Sequence, residues 1–179
     1  VMDYLQGRQG VRSFVLIGLC SGADVGIAAA REDERVAGVV QLNPWVHKNR
    51  RYYLHQFRRP RWWREVARAR FGWFAPAAGE GRGDSQAVWG PEPTREETMA
   101  LLADVAGRDV NLMVVLTAGR VSYDGQFQDV YPDAHFNEHF RCVRRMPSDH
   151  VISPMNDQAF VMDQIEAWMR ETWPQEDSD

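Results

Sequence analysis

Residues 14–30 read FVLIGLCSGADVGIAAA: an apolar run, a turn held between two glycines, then a helix of small residues. The run, VRSFVLIG (11–18), lacks polar alternation and suits a strand buried on both faces of a parallel sheet. Working outward, strand and helix signals alternate. SGADVGIAAAR (21–31) predicts a helix, VAGVVQLNP (36–44) a second buried strand and VNLMVVLT (110–117) a third. HFRCVRRM (139–146) predicts a fourth strand, and SPMNDQAFVMDQIEAWMRE (153–171) a terminal helix with Phe160, Ile165, Trp168 and Met169 near one stripe. Such alternation means βαβ units: an α/β fold, mostly parallel sheet with flanking helices.

Composition bounds the rest. With 179 residues, 44% of them hydrophobic, the chain suits one core, so residues 1–179 read as a single domain. A net charge of -4 calls for no strongly charged partner, and no apolar run is long enough to imply a membrane span. Two cysteines, Cys20 and Cys142, make no disulfide framework, and no basic and apolar leader opens the sequence, so a cytoplasmic location is expected. The chain begins at Val1 inside VMDYLQGRQG, a helix with Met2, Leu5 and Tyr4 on one face that Gly7 and Gly10 should end. That opening reads as cut into, an N-terminally truncated domain.

The turn itself, Gly18-Leu19-Cys20-Ser21-Gly22, has the G-x-C-x-G form of a nucleophile elbow, the cysteine version of G-x-S-x-G. The nucleophile of an elbow sits in a strained backbone, so small neighbours two residues away let strand and helix approach; Gly18 and Gly22 are placed for that. The helix that begins at Ser21 turns its positive end toward the sulfur, and the Ser21 N–H is a candidate oxyanion donor. Ser21 as nucleophile would have Leu19 and Ala23 as flanks, and leucine is too bulky there.

A nucleophile needs a base held by a third group, in the chain order nucleophile, acid, histidine. His150 follows the last strand and precedes the last helix, in PSDHVISP, where imidazole can reach over the sheet's carboxyl edge. His47, His55, His135 and His139 lack that placement. For the acid, TAGRVSYDGQFQDVYPD after the third strand offers Asp124, Asp129 and Asp133; Asp124 is nearest, and Asp124-Gly125 is equally an ordinary turn dipeptide. Asp149 is a poor orienter, because adjacent side chains diverge. A Cys-His pair can work without a strong acid, since a thiolate forms more readily than an alkoxide.

GLCSGAD at the elbow, RVAGVVQLNPW after it, RYYLHQFRRPRWWREV and the late Asp-His before a terminal helix together resemble α/β-hydrolases of the serine aminopeptidase-like group, in particular bacterial hydrolases associated with the exosortase system. The resemblance covers most of residues 3–170. It implies an α/β-hydrolase fold, hydrolytic or acyl-transfer chemistry, Cys20 as nucleophile and His150 as base. Many relatives carry an aspartate directly after the third of these strands, where this chain reads Gly119-Arg120-Val121. The family's amino-terminal half, which carries the second oxyanion donor, has no counterpart here.

The resemblance also places a helical cap, about residues 47–93, after the second strand. YYLHQFRRPRWWREVARARF reads as broadly helical around a break at Pro60, 75–93 as loop, and Thr94-Arg95 as the entry to the helix EETMALLADVAG (96–107). Residues 47–70 carry nine lysines and arginines against one glutamate, interleaved with aromatics, a pattern that could meet nucleic acid. A cap explains it better, with Trp45, Tyr52, Trp62 and Trp63 as pocket residues, so no nucleic-acid partner is expected. Arg82-Gly83-Asp84 is a chance adhesion tripeptide. No phosphate loop, metal-ligand spacing or dinucleotide fingerprint occurs, so no cofactor is implied. These readings give a hydrolase of esters or thioesters acting on a small acyl substrate through a Cys-His acyl-enzyme. The alternatives are a non-catalytic binding protein of the same fold and an acyltransferase using the same acyl-enzyme.

Overall fold

The computed structural model describes residues 1–58, 63, 93–117, 125–131, 140–145 and 148–174. Asp124, Asp133, His135, His139, Trp62 and most of the insert lie outside the described residues. Four strands form one sheet in the order β1 (Phe14–Leu19), β2 (Val36–Leu42), β3 (Asn111–Thr117), β4 (Phe140–Arg145), and every neighbouring pair is parallel. The alternating elements of the sequence thus appear as an unreversed run of crossovers, which keeps the intervening helices on one face.

That face is covered by α2 (Ser21–Glu32), α4 (Arg95–Ala106) and the short α5 (Gln126–Val130). Ile27, Leu102, Val105 and Phe127 pack there with Val39 and Val114. The last helix, α6 (Met155–Thr172), covers the opposite face, where Val161, Ile165 and Trp168 meet Val40, Met113 and Val115. Its buried stripe runs through Asp157, Val161, Ile165 and Trp168, so Met169, one helical step past Trp168, turns outward instead of inward as the sequence suggested. Arg145 and Arg141 of β4 reach over to Asp157 and Glu171 of α6, each at 2.8 Å.

β2 and β3 are central and dry: Val39, Val40, Met113, Val114 and Val115 are fully buried. β1 departs from the expectation of a strand buried on both faces. Among the described residues it is an edge strand, with Ile17 54% and Leu19 39% exposed. An apolar run reports what a strand can bury, and the sheet order decides what covers it. α1 (Met2–Gln9) continues through Gly7 and stops at Gly10, whose φ of 68° is the left-handed cap; it packs on the core through Met2. α3 (Arg50–Phe57) opens the insert. No helix among the described residues is long and apolar enough to cross a membrane.

Candidate active site

Leu19 ends β1 and Ser21 begins α2, so Cys20 alone carries the reversal between them. Its φ of 55° and ψ of -122° fall where side chains are rarely found. The residue is held there by backbone bonds on both sides: its N–H donates to the Leu42 carbonyl at 2.8 Å and its carbonyl accepts the Ala23 N–H at 3.0 Å. A Cβ at Gly18 would sit 2.2 Å from the Gly22 carbonyl oxygen, so strand and helix meet only because residue 18 has no side chain. Gly22 differs, for a Cβ there meets nothing within 4 Å. As the first helical residue, Ser21 has an N–H with no partner inside the helix, and the positive end of α2 faces the half-buried Cys20.

His150 lies between β4 and α6, in a loop fixed from several directions. The Asp149 carboxylate accepts the Ser153 N–H at 2.8 Å, a bond that holds its pKa below the usual carboxylate value. Asp149 is therefore occupied with the turn around His150. Buried Ile152 anchors the loop in the α6-side core at φ 58°. The hydroxyl of Thr117, the last residue of β3, donates to the Asp149 carbonyl at 2.9 Å. Beside it, the buried Asn43 side chain donates to the His150 carbonyl at 2.6 Å and accepts from the Thr117 N–H at 2.8 Å; its Oδ1 also lies 3.0 Å from Thr117 Oγ1, so it shares that hydroxyl's single proton with the Asp149 carbonyl. Asn43 also has a left-handed backbone, φ 52°. The aligned register, Leu19 beside Leu42 beside Val115, brings these strand ends to one edge of the sheet. Sequence reading passed over Asn43 because Asn-Pro at a strand end looks like turn chemistry. The available signal was asparagine's tolerance of the left-handed region directly after a buried strand.

Of the acids considered, Asp129 is in α5 and pairs with Arg51 of α3 at 2.9 Å, tying the start of the insert to α5. His47 does similar work. Its Nδ1 lies 2.8 Å from the Tyr131 hydroxyl and its Nε2 3.1 Å from the Pro93 carbonyl, so one imidazole joins both ends of the insert. The Pro93 oxygen can only accept, which puts the proton on Nε2 in the neutral ring. Tyr131 is buried, and burial pushes its hydroxyl up to about 12.

Trp45 lines a cavity of about 310 Å³ between α2 and α4, together with Asp24, Ile27, Glu97 and Leu102. Asp24 is one helical turn beyond the elbow, so the cavity opens beside it; Cys20 and His150 do not belong to its described wall. Tyr52 is half-buried, its ring against Tyr53 and under the Lys48 ammonium. Trp63 is 46% exposed, donates its indole N–H to the Phe57 carbonyl at 2.8 Å and packs edge-on to the Phe57 ring. Among the described residues, no group of histidine, cysteine and carboxylate side chains could hold a metal ion.

No family model matches the chain, and no curated protein matches it significantly. Solved structures do. The esterase domain of a Rhodothermus marinus protein superposes with a TM-score of 0.55 at 18% identity, over 94% of this chain and 64% of that domain. Looser superpositions reach a carboxylesterase of the thaumarchaeon Nitrososphaera gargenis, TM-score 0.49 at 10% identity over 95% of this chain and 71% of that one. The monoacylglycerol lipase of Paleococcus ferrophilus gives 0.46 at 11% identity, over 93% of this chain and 72% of that one. The first of these shows the fold: a parallel sheet with flanking helices, of α/β-hydrolase type, spanning just under two thirds of the esterase domain's length.

Proposed function

We propose that the protein hydrolyses carboxylic esters or thioesters, with Cys20 as nucleophile and His150 as general base. The observation that carries this reading is the backbone of Cys20, φ 55° and ψ -122°, at the strand-to-helix junction, with the His150 loop bonded to the same sheet edge. Strain of that kind persists only where the surroundings enforce it, and it lifts a side chain clear of its own strand. In the proposed reaction His150 takes the Cys20 proton and sulfur bonds to the carbonyl carbon. The oxyanion accepts the Ser21 N–H. Collapse expels the alcohol or thiol, which leaves with the proton from His150, and a thioester to Cys20 remains. Water, deprotonated by His150, then releases the acid and restores the thiol. Asp124 is proposed as the group that orients His150, and Trp45, Tyr52, Trp62 and Trp63 as walls of the acyl site. The sequence resemblance points to the serine aminopeptidase-like group, and a content of only two cysteines in 179 residues suits a reducing, cytoplasmic setting.

Alkylation by iodoacetamide, followed by mass spectrometry across pH, tests the pair. Cys142 interferes little, because burial raises its thiol to about 11. Labelling of Cys20 well below the pH of an ordinary thiol, slowed in His150→Ala, together with ester turnover lost in Cys20→Ala, is the expected result. Free-thiol behaviour in both proteins would leave a binding protein of this fold. Product analysis with an added alcohol or amine separates hydrolysis from acyl transfer.

A further inference from the structure

We infer that Asn43, acting with Thr117, is the positioning pair that sets His150 against Cys20; this rests on the Cys-His reading above. Two bonds reach the loop from the sheet edge, Asn43 Nδ2 to the His150 carbonyl at 2.6 Å and Thr117 Oγ1 to the Asp149 carbonyl at 2.9 Å, and the Thr117 N–H ties the two residues together through Asn43 Oδ1. The orientation of the Asn43 amide is fixed by chemistry, because the Thr117 N–H can only donate to Oδ1 and a carbonyl can only accept from Nδ2. Both partners are fully buried, where an amide has no water to turn to and keeps a single arrangement.

The same strand end also holds the nucleophile. Leu42 accepts the Cys20 N–H at 2.8 Å and Asn43 is the next residue, its own N–H bonded to the Val115 carbonyl at 2.8 Å. Elbow and histidine loop are therefore referred to one rigid point, one peptide unit apart. Backbone conformation agrees. Of the four non-glycine residues with positive φ among the described residues, Cys20, Asn43 and Ile152 stand at this junction. A β-branched residue such as Ile152 holds that conformation only when its loop is tightly constrained, and the two carbonyl bonds supply the constraint.

Neither residue touches the reacting atoms, so the test must separate positioning from folding. Asn43→Asp keeps the size, the left-handed tolerance and the acceptor toward Thr117, and turns an oxygen toward the His150 carbonyl. Thr117→Val deletes only the hydroxyl, and Thr117→Ser restores it. For each variant, Cys20 alkylation by iodoacetamide is followed against pH beside the parent and His150→Ala, with thermal unfolding measured in parallel. The expected result is that Asn43→Asp and Thr117→Val move the pH profile toward that of His150→Ala and slow labelling at neutral pH on the order of tenfold, with Thr117→Ser near the parent. A lowered Tm with an unmoved pH profile in both Asn43→Asp and Thr117→Val, while His150→Ala shifts it, overturns the positioning role and leaves the Cys-His pair standing. An unshifted profile in His150→Ala overturns both. Should Asn43→Asp fail to fold, Thr117→Val and Thr117→Ser decide the outcome through the second bond.

Discussion

A Cβ on Gly18 would stand 2.2 Å from the carbonyl oxygen of Gly22 and 2.6 Å from the Ala23 nitrogen. Both are backbone atoms of the first turn of α2, and neither can swing aside as a side chain would. Gly18→Ala must therefore push α2 off the end of β1. The expected cost is about 1–3 kcal/mol of stability or more, with loss of the Cys20 conformation. Gly22→Ala meets no atom within 4 Å and lies in a helix, so it should be neutral or stabilising by up to about 1 kcal/mol. Urea unfolding of the two variants checks the contrast; equal losses at 18 and 22 would remove the steric account of the turn.

The strain at Cys20 gives a second expectation, opposite in sign for stability and activity. A non-glycine residue at φ 55° and ψ -122° costs about 1–3 kcal/mol, more than the roughly 0.5–1 kcal/mol of chain entropy that glycine loses on folding. Cys20→Gly should therefore be at least as stable as the parent. On the proposed mechanism, in which Cys20 is the nucleophile, ester turnover should fall by about a thousandfold or more. Chemical denaturation beside a turnover assay reads both quantities, and a clearly less stable Cys20→Gly would mean that packing of the sulfur outweighs the strain.

Much of this arrangement was legible in the sequence, and the parts that were not share a cause. Local patterns gave the four strands, α2, α4 and α6, because apolar runs and helix-start signals act within a few residues: Thr94 and Glu97 form the reciprocal cap that opens α4. The tight strand-to-helix turn was legible for the same reason, with Gly18, Cys20 and Ser21 within four consecutive residues. The exposure of Ile17 was hidden, since the run 11–18 reads as buried on both faces, while among the described residues β1 pairs only with β2. Asn43 was hidden more completely. Its meaning lies in bonds to Thr117 and His150, 74 and 107 residues away, and no local propensity encodes them. His47 was passed over because it lacks the position of a base, although its ring joins Pro93 to Tyr131.

That imidazole yields a third expectation. His47→Leu removes the ring bonds to the Pro93 carbonyl and the Tyr131 hydroxyl, for a loss of about 1–2 kcal/mol in unfolding free energy. The effect should be local. Pro93 precedes Thr94, which accepts the N–H groups of Glu97 and Thr98, so amide exchange at those two residues should quicken while β3 stays protected. Uniform protection loss across β3 and the start of α4 would show instead that His47 supports the whole fold.

Alkaline pH supplies the last. Burial raises Tyr131 from 10.0 to about 12 and Cys142 from 9.0 to about 11, so the folded protein holds both groups neutral where the unfolded chain has begun to lose their protons. The sign follows from that difference. Below about pH 9 both states are neutral at these groups and the stability is fully present; as pH rises through about 9 to 12 the unfolded state releases protons first and stability drains away. One pKa unit corresponds to about 1.4 kcal/mol, so Tyr131 alone contributes a fall on the order of 2–3 kcal/mol by the top of the window. Tyr131→Phe cannot ionise and should escape that fall. At neutral pH it should instead be less stable than the parent by about 1 kcal/mol, having lost the hydroxyl that pairs with His47. The stability curves of the two proteins should therefore cross inside the window. Urea unfolding at neutral pH and near the upper end measures both sides of the crossing, and parallel curves would mean that the Tyr131 hydroxyl ionises as readily in the fold as out of it.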